Sequence, residues 1–164
     1  KIVISTNFSG RHFESDGEEF LNRIQHVLSK YSVRPEYIEI EVTEGVLVKN
    51  VAVLEKCMNR LHEIGFRVAI DDFGTGYSSL SVLADMPADV IKIDKSFIKG
   101  MTEQKKNLLY EIGRMVKILQ KDIIIEGVET EEQEQFLKEG GFTCGQGYLC
   151  NCPVPIGDFE KMYL

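Results

Sequence analysis

Six short runs rich in Ile, Val and Phe, at 2–8, 37–42, 66–70, 90–93, 122–125 and 142–148, alternate with stretches of helical spacing along the whole chain. The helical stretches fall at 13–30, 51–64, 78–84, 104–120, 131–139 and 156–163, with Leu, Ile and Phe at three- and four-residue steps. Such succession specifies a parallel sheet with crossover helices, because a parallel neighbour is reached only through a long connection and the returning helix covers the sheet. Pro35, Pro87, Pro153 and Pro155 all fall in connections, and no linker or low-complexity tract divides the chain. The 164 residues, 43% of them apolar, make one α/β domain with material for a sizeable core.

A net charge of −7 argues against electrostatic binding to long nucleic acid or to an anionic membrane. Any phosphate-bearing ligand must therefore be met by cations. No run of eighteen apolar residues and no secretory leader is present, so the expected location is the cytoplasm, whatever anchor other segments of a parent chain supply. Cys57, Cys144, Cys150 and Cys152 form no CxxC pair and are expected to be reduced; a zinc cluster of the last three lacks a histidine or knuckle spacing. His12, His26 and His62 share no spacing and receive no role.

The apolar runs stop at polar residues able to bind metal or phosphate. Asn7 closes the first, Glu41 and Glu44 the second, and Asp71 and Asp72 the third; Lys92 and Asp94 lie at the fourth, Glu126 and Glu129 follow the fifth, and Gln146 sits in the sixth. Were the sheet a parallel barrel, all of these ends would gather at one face, where barrel enzymes place their chemistry. Each residue also has a plainer reading. Asn7 fits a turn cap, Glu41 a solvent-facing strand position, and Glu44 the acidic first turn of a helix. Gln146, between Gly145 and Gly147, fits a turn. Lys92, between Ile91 and Ile93, is harder to dismiss, since a buried lysine needs anionic partners or a depressed pKa. The segment 69–80, AIDDFGTGYSSL, is read alone as a tight turn with solvated acids. Consecutive strand side chains point to opposite faces, so Asp71 and Asp72 share a cation only where the strand is already turning, and Gly74 and Gly76 allow that turn.

Taken together, EVTE at 41–44, DDFGTGYSSL at 71–80, KIDKSF at 92–97, EGVET at 126–130 and QGYL at 146–149, preceded by NFS at 7–9, resemble the EAL-domain family of bacterial cyclic di-GMP phosphodiesterases. The resemblance implies a TIM-type (β/α) barrel, here truncated at its N-terminus to about six βα units. It also implies hydrolysis of cyclic di-GMP to linear pGpG in second-messenger signalling, with Mg2+ or Mn2+ in a two-metal site. By the same resemblance Asn7, Glu41 and Asp71 hold one metal, and Asp71, Asp72 and Glu126 help hold a second. Lys92 then orients or deprotonates the attacking water, Gln146 steadies the site, and Glu44 anchors the DFGTG loop at 72–76, which couples dimerisation to metal binding. Asp94 and Glu129 match the motifs as supporting positions. A homodimer through the region of that loop, and diguanylate cyclase or sensory modules in the parent chain, are expected partners.

The sequence also departs from the pattern. The glutamate of the EAL signature strand has no counterpart, and barrels of this type run to roughly 250 residues, so 1–164 reads as the C-terminal two thirds of the domain. Open edges at its first and last strands would invite swapping or dimerisation. Cys152 stands where a basic residue commonly precedes the proline. The leading expectation is an active phosphodiesterase domain whose isolated fragment has low or no turnover. The alternatives are a catalytically silent EAL-like module that binds cyclic di-GMP or a protein, and an unrelated metal-dependent barrel enzyme with Lys92 as a proton-abstracting base.

Overall fold

The computed structural model describes residues 2–9, 17–47, 51–76 and 79–164. The expected helical start at 13–16, Ser78 and His12 lie outside the described residues. Six strands, β1 (Ile4–Phe8), β2 (Ile38–Thr43), β3 (Arg67–Phe73), β4 (Val90–Ile93), β5 (Asp122–Glu126) and β6 (Gly145–Gln146), form one sheet in sequence order with every pairing parallel. Helices α1 (Glu18–Tyr31), α2 (Glu44–Leu47), α3 (Val51–Ile64), α4 (Leu80–Asp85), α5 (Glu103–Ile118), α6 (Glu131–Glu139) and α7 (Ile156–Tyr163) alternate with the strands. The result is the parallel α/β sheet expected from the alternation, in the form of the half-barrel that the resemblance implies.

The two faces of the sheet differ chemically. Ile40 and Val42 of β2, Val68 and Ile70 of β3, Ile91 and Ile93 of β4 and Ile125 of β5 are fully buried against Leu54, Met58 and Leu61 of α3 and Leu109 and Val116 of α5. Each such side chain contributes on the order of 1.5–3 kcal/mol by leaving water. The intervening positions project to the concave side, where Glu39, Arg67 and Asp122 at one end and Glu41, Asp71, Lys92 and Glu126 at the other flank a layer of Ala69, Val90 and Ile124. Helices α4, α5 and α6 begin where short polar side chains satisfy free amides. Ser79 Oγ accepts from Val82 N (3.3 Å), Thr102 Oγ1 accepts from Lys105 N (3.3 Å), and Thr130 with Gln133 forms a capping box directly after β5.

Two strands differ most from the sequence reading. The third strand runs on through Asp71, Asp72 and Phe73, whereas the sixth shrinks to two residues. Phe142 does not open a strand. Its buried ring fills the space that Gly113 and Gly140 leave empty, where an added Cβ would come within 2.7 and 2.9 Å of it. Beyond Gln146 the chain cannot continue as a strand with a side chain, since a Cβ on Gly147 would sit 2.2 Å from the Val128 carbonyl oxygen. No described helix is long and apolar enough to cross a membrane.

Candidate active site

The parallel register aligns the polar strand-end residues. Asn7 stands opposite Glu41, Glu41 opposite Ala69, and Glu126 opposite Gln146, all with the parity of the concave face. A bulge between β3 and β4 solves the problem posed by two adjacent acids. Ile70 pairs with Ile91 and Phe73 with Ile93, so Asp71 and Asp72 together face one residue, Lys92. The extra residue is taken up by Asp72 in the left-handed region, at φ 56°. Carboxylate oxygens of Asp71, Asp72 and Glu126 consequently lie within 4.8 Å of one another.

Lys92 occupies the centre of this rim, with its side chain 3% exposed. Its Nζ is 2.8 Å from Glu41 Oε1, 2.7 Å from Glu126 Oε1 and 3.1 Å from Asp71 Oδ1. Burial works against the charged ammonium, but Glu126, Glu41 and Asp71 together hold its pKa well above the ordinary lysine range, so the group is a cation. Asp71 Oδ1 is close enough for an ion pair yet off the line of a hydrogen bond, and this buried oxygen has no hydrogen-bond donor. Burial, reinforced by the charges of Asp71 and Asp94, raises the pKa of Asp72. Burial likewise raises that of Glu126, against the pull of Lys92. One ammonium is insufficient for four carboxylates, and the deficit takes the form of hard oxygen donors that suit Mg2+ or Mn2+. The residues present fit a divalent cation.

Other expected residues flank the rim. Glu44, 2% exposed, accepts hydrogen bonds from Gly74 N and Gly76 N through Oε2, both at 2.9 Å. It therefore grips the glycine turn that follows the paired acids. Asp94 Oδ1 accepts from Ser96 N at 2.9 Å, and despite partial burial these loop donors hold its pKa below the ordinary carboxylate value. Asn7 and Gln146 are exposed on the edge strands, in register with the rim. Glu129 is exposed at the mouth of α6, where its backbone N donates to Gln133 Oε1 at 2.7 Å, and the structure does not join its side chain to the cluster. Buried Cys57 and exposed Cys144, Cys150 and Cys152 form no disulfide.

An EAL domain family model matches residues 1–153. The chain belongs to the EAL domain family. It is 36% identical over 143 residues to cyclic di-GMP phosphodiesterase NbdA of Pseudomonas aeruginosa, a match covering 86% of this chain and 18% of that protein. Among solved structures it resembles the PaMucR phosphodiesterase in its c-di-GMP complex, with a TM-score of 0.86 and 33% identity over 96% of this chain and 64% of that one. It also resembles a manganese and cyclic-di-GMP complex of Klebsiella pneumoniae BlrP1, with a TM-score of 0.79 and 28% identity over 90% of this chain and 38% of that one. This EAL chain thus spans between 18% and 27% of the length of curated relatives such as NbdA of Pseudomonas aeruginosa and PdeB of Escherichia coli.

A second polar layer of the concave face escaped the sequence reading. Ser5 Oγ donates to Glu39 Oε1 at 2.9 Å, Arg67 Nε lies 3.7 Å from Glu39 Oε2, and Arg67 Nη2 donates to Asp122 Oδ2 at 2.6 Å. Glu39 is 5% exposed. The signal was available, since Ser5, Glu39 and Asp122 stand two or four residues before rim residues of the same parity. These residues lie at the starts of or within the apolar runs rather than at their ends, where a polar residue carries no signal of convergence until register is known.

Proposed function

We propose that the EAL domain to which this chain belongs hydrolyses one phosphodiester bond of cyclic di-GMP to give linear pGpG, using a pair of divalent cations. The observation that carries this reading is the convergence of Glu41, Asp71, Asp72 and Glu126 around Lys92 on one rim. Asn7, Glu41 and Asp71 would hold one cation, and Asp71, Asp72 and Glu126 a second. Magnesium or manganese bound there supplies positive charge for the entering and leaving oxygens of the displacement. An acidic rim attracts a phosphodiester only once it carries such charge.

The chain's own residues do the rest. Lys92, at the centre of the rim, orients or deprotonates the attacking water. Gln146, on the strand beside Glu126, steadies the substrate side of the rim, with Asp94 and Glu129 in supporting places. Glu44 fixes the 72–76 loop, so that Asp72 keeps its left-handed turn. Leu80, 60% exposed just after that loop, supports a homodimer contact in this region. The fraction of each relative left uncovered supports sensory or diguanylate cyclase modules in the parent chain.

An assay for pGpG with Mn2+, run on the parent protein and on this chain, tests the reading. The expected outcome is turnover by the parent that EDTA abolishes together with tight cyclic di-GMP binding, and weaker or absent turnover by this chain. Cyclic di-GMP binding that survives chelation, with no pGpG formed, would favour the silent binding module instead.

A further inference from the structure

We propose that Lys92 is an intramolecular stand-in for the divalent cation. In the metal-free protein its ammonium offsets part of the rim's negative charge, and a metal binds only by displacing it. The inference rests on the metal-dependent reading above and concerns what this chain's own lysine does toward that metal.

Three observations carry it. The Lys92 ammonium lies within 3.1 Å of Glu41, Asp71 and Glu126, three of the residues assigned to the metal, so lysine and metal compete for the same oxygens. Its side chain is 3% exposed, so it has little solvent in which to balance its charge, and among the described residues those carboxylates are its ion-pair partners. The occupation is also incomplete, because Asp71 Oδ1 lacks a hydrogen bond and Asp72 makes no ion pair with the lysine among the described residues. A lysine serving only to position water would have no need to contact three prospective ligands. A singly charged placeholder among carboxylates keeps the empty rim folded without filling it, and it sets a threshold for metal entry. Like charges a few ångströms apart in a partly buried site repel strongly. Removal of the ammonium should therefore tighten metal binding, the reverse of what loss of a supporting residue does. Once released from the carboxylates, the ammonium is the donor available to the attacking water, which ties readiness for hydrolysis to metal loading.

The test measures Mn2+ affinity, by calorimetry and by loss of the free-ion EPR signal, on this chain and its Lys92→Met and Lys92→Arg variants, with thermal melts in EDTA and in Mn2+. Lys92→Met should bind Mn2+ at least tenfold more tightly than wild type, melt lower in EDTA, and gain more from Mn2+ than wild type does. Lys92→Arg keeps a permanent charge and should bind no more tightly than wild type. If Lys92→Met is unfolded without metal, recovery of the fold on Mn2+ titration supports the inference, and failure to recover overturns it. Wild-type binding that Lys92→Met matches or weakens also overturns it, while leaving the metal reading intact. Absence of Mn2+ binding in all three proteins overturns the metal reading itself, and the stand-in role with it.

Discussion

Asp72 concentrates the conflict at the residue scale between a stable fold and a useful rim. Its left-handed backbone and its closeness to Asp71 are both unfavourable, and both follow from placing two acids on one side of a strand. Asn adopts the left-handed region readily and carries no charge, so Asp72→Asn relieves the repulsion without straining the turn. Burial and the neighbouring acids raise the folded-state pKa of Asp72 above its ordinary 3.8. The folded state therefore binds the proton more tightly than the unfolded one, and ionisation destabilises it. That penalty is absent below the ordinary carboxylate value, grows as pH rises through the raised pKa, and is complete at neutral pH. Metal-free Asp72→Asn should thus melt above wild type at pH 7, with the gap closing as pH falls below about 4. Thermal melts in EDTA across that range check this, and a lower melting temperature at pH 7 would contradict the strained-acid account. With metal present, the same variant should lose affinity for the cation.

At the scale of elements, the site depends on how a strand is stopped and what holds the loop beyond it. The β3 bulge re-aims Asp72, and the glycine turn after it is tied to α2 by Glu44. A Cβ at Gly74 would lie 2.3 Å from the Phe97 ring, and one at Gly76 3.0 Å from the Glu44 carboxylate, so neither glycine tolerates a side chain without displacing its neighbour. Glu44→Ala removes two charge-assisted hydrogen bonds and should lower stability by about 2–3 kcal/mol. Glu44→Gln, which keeps an oxygen acceptor, should lose about half as much. Amide hydrogen exchange at Gly74 and Gly76 should accelerate in Glu44→Ala more than exchange in β4. Uniform acceleration across the sheet would mean that Glu44 supports the whole core rather than this loop. The bland reading of Glu44 as a favourable first-turn acid is also correct, since it opens α2, but its carboxylate is buried and turned to the loop.

Among the described residues the whole sheet is parallel, with β1 and β6 each paired on one side only, and its surface reflects that. Ile2, Val3 and Ile4 are exposed at the β1 edge, with Ile4 at 60%. A cavity of about 920 Å³ brings Ile4 together with Ile124, Cys144, Tyr148, Phe159 and Tyr163, so the apolar margins of β1 and of the β6–α7 segment share one opening. Apolar surface beside free strand edges favours association. The weight-average mass of this chain in sedimentation equilibrium should therefore rise with concentration, and Ile4→Lys should reduce that rise. A mass unaffected by the substitution would place any association elsewhere. The alternation of apolar runs with helical stretches was enough to determine a parallel α/β sheet, because a strand buried by helices on one face leaves a repeating hydrophobic record in the chain. The ordered motifs around Glu41, Asp71, Lys92 and Glu126 were likewise enough to point to the family. The charge balance of the rim was not legible in this way. That Lys92 reaches three carboxylates from three different strands, that a one-residue bulge turns Asp72 beside Asp71, and that Glu39, Arg67 and Asp122 form a second layer all depend on sheet register and curvature. Those are set by packing between segments distant in sequence, so only the tertiary structure decides them.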